Sequence, residues 1–115
     1  MEDSILKTIR VENNVADDCD VFDGQLIPLI NDAFSTLWQV GVGPKIGFAI
    51  SGVSEKWSDY TEDIIALGWI KTYIGNSVRL GFDPPSSSFV KETYEKKMDE
   101  ALWRLNVYVD PPEEV

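Results

Sequence analysis

Apolar residues recur every three or four positions along four stretches of the chain, which is the spacing of helices that bury one face. The first stretch is short, since it begins after Asp3 or Ser4, either of which can cap a helix, and ends near Asn13. The second runs from Asp23, a further capping residue, to about Val40, where glycine and proline follow. The apolar positions of these two predicted helices are Ile5, Leu6, Ile9, Leu26, Ile27, Ile30, Ala33, Phe34, Leu37 and Trp38.

The third and fourth patterns are the longest and predict two helices that pack against each other. The third extends from about Asp59 to Leu80, and the fourth from the serines at 86–88 to about Leu105. Asp83-Pro84-Pro85 separates them, and a connection this short predicts antiparallel packing. Their apolar stripes are Tyr60, Ile64, Leu67, Ile70, Tyr73, Ile74 and Val78 in the third, and Phe89, Val90, Tyr94, Met98, Ala101, Leu102 and Leu105 in the fourth.

Three glycines interrupt the third pattern, at Gly68, Gly75 and Gly81. Each costs a helix about 1 kcal/mol relative to alanine, which packing has to recover. The sequence therefore leaves the continuity of the third helix open.

Two further segments alternate or run apolar without helical spacing. Ile46, Phe48 and Ile50 alternate with small residues, which predicts a short strand or an extended loop. Residues 107–109 are apolar and precede Pro111-Pro112, so they predict an extended C-terminal tail. The whole pattern predicts an all-α fold: one domain over residues 1–115, a small bundle of about four helices with an extended loop at 46–50 and an extended C-terminal tail.

Composition narrows the function. The 115 residues hold 10 Lys plus Arg against 20 Asp plus Glu, a formal charge of −10 with no histidine and one cysteine. Binding of nucleic acid through its phosphates, or of anionic lipid, needs clustered positive charge that such a chain lacks. No apolar run reaches the roughly 18 residues of a membrane span, and the acidic N-terminus does not resemble a signal peptide, so an intracellular origin without membrane contact is expected.

No motif predicts catalysis, a metal or a cofactor. The aspartates at 17, 18, 20 and 23 lack the glycine and the final glutamate of a calcium loop, so a solvated acidic loop is the better interpretation. Cys19 lies among these carboxylates, which oppose formation of a thiolate. Residues 41–45 lack the spacing of a phosphate-binding loop. We expect a protein that is not an enzyme and needs no cofactor.

The four tryptophans divide by position. Trp38 and Trp103 lie on or beside helical stripes, which predicts core packing, and Trp69 is expected to be partly exposed. Trp57 lies in a polar connector, where an aromatic residue serves either as an interface anchor or in local packing. Both interpretations of Trp57 stay open at this point.

Several blocks of the sequence resemble, in order, the head–tail connector proteins of tailed bacteriophages and prophages, also called head-completion, adaptor or neck proteins. The resemblance covers about Ile5 to Pro111. The blocks are Val40-Gly41-Val42-Gly43-Pro44-Lys45, Trp57-Ser58-Asp59-Tyr60, Lys71-Thr72-Tyr73-Ile74, Val78-Arg79-Leu80, Phe82-Asp83-Pro84-Pro85-Ser86-Ser87 and Glu100-Ala101-Leu102-Trp103-Arg104-Leu105-Asn106-Val107.

This resemblance implies a structural virion protein that assembles as a homo-oligomeric ring, usually twelvefold, beneath the portal after DNA packaging. Such a ring extends the DNA channel, lets DNA pass without binding it tightly, and offers a docking surface to the next neck or tail component. The implied location is the virion neck, with assembly in the host cytoplasm. An acidic chain fits a channel through which DNA must slide.

A ring needs head-to-tail contacts between unlike surfaces. The extended segments and the loop tryptophan are the candidates for this interface: Lys45, Ile46, Phe48, Ile50, Trp57, Val107, Tyr108 and Val109. The alternative function is an acidic DNA mimic that inhibits a DNA-binding enzyme. A mimic would spread its carboxylates over one open face.

Overall fold

Helices are the regular secondary structure of the described part of the chain. The computed structural model describes residues 4–109, with side chains through Tyr108. Its helices are α1 (Ile5–Glu12), α2 (Asp23–Gln39), α3 (Trp57–Tyr60), α4 (Ile64–Phe82) and α5 (Ser88–Val109). No strand forms between residues 4 and 109; residues 47–50 have no regular structure, and a single bridge pairs Ser4 with Lys56. The predicted all-α class and the loop at 46–50 are confirmed.

The α4–α5 hairpin is the centre of the fold. These two helices form the most extensive packing in the molecule, and α2 lies against α4. The hydroxyl of Tyr108, at the end of α5, reaches Asp63 at the start of α4, so the two helices are antiparallel as predicted. The side chains with almost no exposure are Ile5, Leu6, Ile9, Leu26, Ile30, Phe34, Leu37, Ile70, Ile74, Val78 and Leu105.

A buried ion pair joins α1 to α2. Arg10 is 3% exposed, and its guanidinium donates to both carboxylate oxygens of Asp23, at 3.0 and 2.6 Å. The remaining terminal nitrogen donates to the Asp17 carbonyl at 2.7 Å. Asp23 was predicted to cap α2, but Phe22 occupies the N-cap position and Asp23 is the first helical residue. Its carboxylate is committed to Arg10, which explains why it does not cap.

The predicted third helix is two helices. It breaks between Tyr60 and Ile64 because the Asp63 carboxylate caps α4, accepting from the backbone N–H groups of Ile65 and Ala66 at 3.0 and 3.1 Å. The glycines at 68, 75 and 81 do not interrupt α4, which is continuous to Phe82. The helix therefore breaks before the first of the three glycines and not at any of them.

The prediction of an extended segment at 107–109 is wrong, because α5 continues through Val109. A proline disfavours the α conformation only at the residue before it, so Pro111 leaves positions up to 109 free to be helical. The helical path also puts the Tyr108 ring 5.6 Å from the Trp69 ring. Residues 110–112 of the predicted tail lie outside the described residues.

Five apolar side chains assigned to buried stripes or to the core are exposed. Trp38 is 50% exposed and Trp103 63% exposed, so the prediction of core packing for both is wrong. Ile64, Phe89 and Val90 are also exposed, the first two at 84% and 76%. Ile64 opens α4, and Phe89 and Val90 lie in the first turn of α5.

Candidate assembly surfaces

The loop that follows α2 is anchored at its end. The Asn31 side chain accepts from the Ile50 N–H at 2.8 Å and donates to the Ile50 carbonyl at 3.0 Å, and the Ile50 side chain is buried. Phe48 is half-buried, with its ring 5.0 Å from Phe34 and 5.1 Å from Tyr60. These contacts fix the path of the loop although it has no regular secondary structure.

The exposed tip of this loop presents one large apolar side chain. Ile46 is 97% exposed beside Lys45, and Gly47 turns the chain with φ of +89°. The Trp38 indole donates to the Lys45 carbonyl at 2.9 Å, which holds the tip against α2. A cleft of about 240 Å³ opens between them, lined by Phe34, Ser35, Trp38, Ile46, Gly47 and Phe48.

Trp57 belongs to the core of the chain. It is 4% exposed, its indole N–H donates to Thr8 Oγ1 at 3.2 Å, and Lys71 Nζ lies 5.3 Å from its ring centroid. Of the two interpretations left open by the sequence, local packing is the one these contacts support. Trp57 and Ile50 lie in one buried cluster and present no surface.

The end of α5 forms a second, separate surface. Tyr108 donates from its hydroxyl to Asp63 Oδ2 at 2.8 Å and is 40% exposed. This hydrogen bond lowers the pKa of Asp63 and raises the pKa of Tyr108. A shallow cleft of about 180 Å³ lies here, lined by Trp69, Trp103, Arg104, Val107 and Tyr108. Tyr108 therefore contacts its own chain, Val107 lines the cleft, and the side chain of Val109 is outside the described ones.

A polar cleft of about 380 Å³ lies where α1 meets α4 and α5. Lys71, Gly75 and Arg79 line it at intervals of four residues along one face of α4. The Glu12 carboxylate lies across the glycine, so close that a Cβ at position 75 would be 3.1 Å from Glu12 Oε1. Desolvation raises the pKa of Glu12, and the charge of Lys71 opposes that rise.

Sequence reasoning did not single out this cleft. Lys71, Gly75 and Arg79 are spaced four residues apart, which places them on one face of a helix. The cleft also needs the carboxylate of Glu12 on α1, which is 59 positions before Lys71, and the spacing does not predict that contact. The sequence pattern also did not indicate that Phe89 and Val90 are exposed, because their spacing placed them on the inner face of the fourth predicted helix.

The part of the chain that the structure covers contains neither a group of metal ligands nor a membrane-spanning helix. Among residues 4–108, no three side chains of His, Cys, Asp or Glu converge as metal ligands would. None of the helices described has the length and apolar character needed to cross a membrane.

Comparison with known proteins identifies the family. A family profile described as phage connector protein matches residues 5–112, almost the range over which the sequence blocks resemble head–tail connectors. No curated protein and no solved structure matches the chain. The chain therefore belongs to the phage connector family, whose members are structural virion proteins that associate with other head and tail proteins.

Proposed function

We propose that this protein forms a homo-oligomeric ring, twelvefold when assembled, between the portal and the next neck or tail component of a phage. The ring extends the DNA channel and completes the head after packaging, and it assembles in the host cytoplasm. The observation that carries the proposal is the family match over residues 5–112. Two clefts with exposed apolar side chains support it, one at Trp38 and Ile46 and one at Trp103 and Tyr108, because grouped exposed apolar side chains mark protein interfaces.

The charge of the chain suits a channel that DNA must leave. With 20 acidic against 10 basic residues, the subunit carries −10 and repels the phosphate backbone. Packaged DNA then slides past the ring without the salt-dependent adhesion that a basic surface would produce. The same charge makes the subunits repel each other and opposes their association. Salt screens this repulsion, to a range of about 8 Å at physiological ionic strength, so assembly without a portal template should improve as salt is added.

The loop after α2 is a proposed contact with a neighbour. Lys45 and Ile46 offer the exposed surface, and Phe48 and Ile50 hold the loop against the core. Trp57 contributes from within the buried cluster that also contains Ile50. The end of α5, with Val107, Tyr108 and Val109, is proposed as a second contact at the cleft beside Trp103.

The test is electron microscopy of purified protein mixed with portal-bearing heads. Wild-type protein should add a ring of density below the portal, and Ile46→Ser should lose it while keeping the helical circular dichroism of the wild type. Val53→Ser is the matched control, because Val53 is a loop residue 43% exposed outside the proposed contact. Heads that gain no density from wild-type protein would contradict the ring.

The DNA-mimic alternative finds less support in the distribution of charge. The outward side of α5 interleaves Lys91, Lys96 and Lys97 with acidic residues, whereas a mimic needs continuous negative charge. Titration of nucleases and polymerases with the protein separates the two functions, since inhibition at stoichiometric amounts would favour the mimic.

A further inference from the structure

We propose that the polar cleft between α1, α4 and α5 receives the acidic, apolar start of α4 from a second copy of this chain, with Arg79 as the residue that pairs with the incoming carboxylate. This inference rests on the proposed ring and names one of its contacts. This surface, the cationic cleft, has Glu12 at its edge and is lined by Lys71, Thr72, Gly75, Asn76, Arg79 and Tyr94.

The guanidinium of Arg79 contains an unsatisfied donor. Arg79 Nε is buried and has no hydrogen-bond partner among the described residues, and no carboxylate within residues 4–108 forms an ion pair with its guanidinium. A buried charged donor without a partner is costly, so native structures leave few of them. Arg79 as a residue is only partly buried and lines the cleft, which is the side from which an incoming group would reach it.

The charge of the cationic cleft is opposite in sign to that of the whole chain. The cationic cleft holds two cations, Lys71 and Arg79, against one carboxylate, Glu12, so its formal charge is +1 in a chain of −10. Lys71 is already placed over the Trp57 ring, and Glu12 lies against Gly75. Arg79 is therefore the cation left for a carboxylate from outside.

The start of α5 beside the cleft is uncovered. Tyr94 lines the cleft, and one turn before it Val90 is 38% exposed and Phe89 is 76% exposed. From Ser88 to Lys97 no residue of α5 is buried by its own chain. An occupant of the cleft that also covers these two side chains would remove apolar surface from water.

The opposite end of α4 has the complementary chemistry. Ile64 and Ile65 are 84% and 62% exposed there, and the exposed Glu62 precedes them. Arg79 lies 15 residues after Ile64 in α4, roughly 22 Å away at about 1.5 Å per residue, so Glu62 cannot reach Arg79 of its own chain. A contact between unlike surfaces of successive copies is the kind that closes a ring.

The experiment is a charge swap followed on portal-bearing heads and by sedimentation of the free protein. Arg79→Glu should reduce assembly at least tenfold, and Arg79→Glu combined with Glu62→Arg should restore most of it. Lys7→Glu changes the net charge equally at an exposed residue of α1 outside the contact, and it should assemble as the wild type does. Circular dichroism of each variant reports folding, and Phe89→Ser tests the same contact without a charge change should Arg79→Glu fail to fold.

The outcomes separate this inference from the ring itself. Wild-type assembly with undiminished assembly of Arg79→Glu and Phe89→Ser would overturn the cleft as a contact and leave the ring standing. Loss in Arg79→Glu without rescue by Glu62→Arg would overturn the proposed occupant, and a carboxylate of another neck protein would then be its replacement. If wild-type protein forms no ring, weak self-association that disappears in Arg79→Glu still supports the contact, and absence of self-association refutes it.

Discussion

Replacement of Asp23 by alanine would leave the buried Arg10 guanidinium without its carboxylate. Two of the three hydrogen bonds that Arg10 donates in the structure go to Asp23, and the arginine is 3% exposed. The pKa of Arg10 is raised, chiefly by the hydrogen bond to Asp23, so the side chain stays charged at every accessible pH. The variant therefore has to bury an uncompensated charge or expose it by opening the α1–α2 contact.

The expected cost is about 3 kcal/mol, the lower end of the range for breaking a buried ion pair by removing one partner. The lower end applies because the Asp23 side chain retains 22% exposure. That loss is a large part of the roughly 5–15 kcal/mol by which domains of this kind are stable. With a urea dependence of about 1.5 kcal/mol per molar, the unfolding midpoint should fall by about 2 M.

Urea unfolding followed by tryptophan fluorescence measures this, with the exposed pair Arg104–Glu100 as the control. The Arg104 and Glu100 side chains are 48% and 61% exposed, and Arg104 Nη2 lies 3.0 Å from Glu100 Oε1. Because this ion pair is exposed to solvent, Glu100→Ala should lower the free energy of unfolding by only about 0.5 kcal/mol. Arg10→Met combined with Asp23→Leu should recover much of the loss, because it removes both charges. If Asp23→Ala costs no more than Glu100→Ala, the ion pair does not hold α1 to α2.

Three further predictions concern titration and backbone geometry. Tyr108→Phe should raise the pKa of Asp63 in an NMR titration, because the hydrogen bond from Tyr108 is the main cause that lowers it. Asp63 contributes stability above its unfolded pKa and loses it as pH falls through its folded pKa, so this contribution should be smaller in the variant. An unchanged Asp63 pKa would contradict this. Glu12→Gln should stabilise the protein at neutral pH and not in acid, because desolvation raises the Glu12 pKa and the stability of the protonated form is lost as pH rises through that pKa. A change in melting temperature that is the same at both pH values would refute this. Gly47→Ala should cost about 1–2 kcal/mol for its left-handed backbone alone, and Gly43→Ala more in the same denaturation assay, because a Cβ at position 43 would lie 2.6 Å from a tyrosine ring; equal losses would show that the ring yields.

Local signals in the sequence predicted what is locally determined. Ser4 caps α1 by accepting from the Lys7 N–H, and α1 ends at Glu12 with Asn13 as its C-cap, as the pattern indicates. The family resemblance was confirmed over nearly the whole range on which it was based. The break before α4 was also encoded locally, as an aspartate before an apolar run, but Asp63 lay inside a pattern that continued on both sides.

Features that depend on distant partners could not be predicted. The burial of Trp57 relies on Thr8, 49 positions earlier in the chain, and the helical end of α5 includes a contact between Tyr108 and Asp63, 45 positions apart. The exposure of Phe89 depends on which elements fail to reach the start of α5, and apolar spacing carries no information about that. Periodicity identifies the apolar face of a helix and cannot tell whether its own chain covers it.

The order of the helices along the chain has a consequence for biosynthesis. α2 packs chiefly against α4, and α1 makes only small contacts with α2 and α4, so the N-terminal helices leave the ribosome before their principal partner has been made. Until Ile64–Phe82 has emerged, apolar side chains of α2 such as Leu26 and Ile30 lack the helix against which α2 chiefly packs. Stable tertiary structure must therefore wait for α4, and nascent chains stalled upstream of it should be the species that chaperones hold and that aggregate when chaperones are depleted.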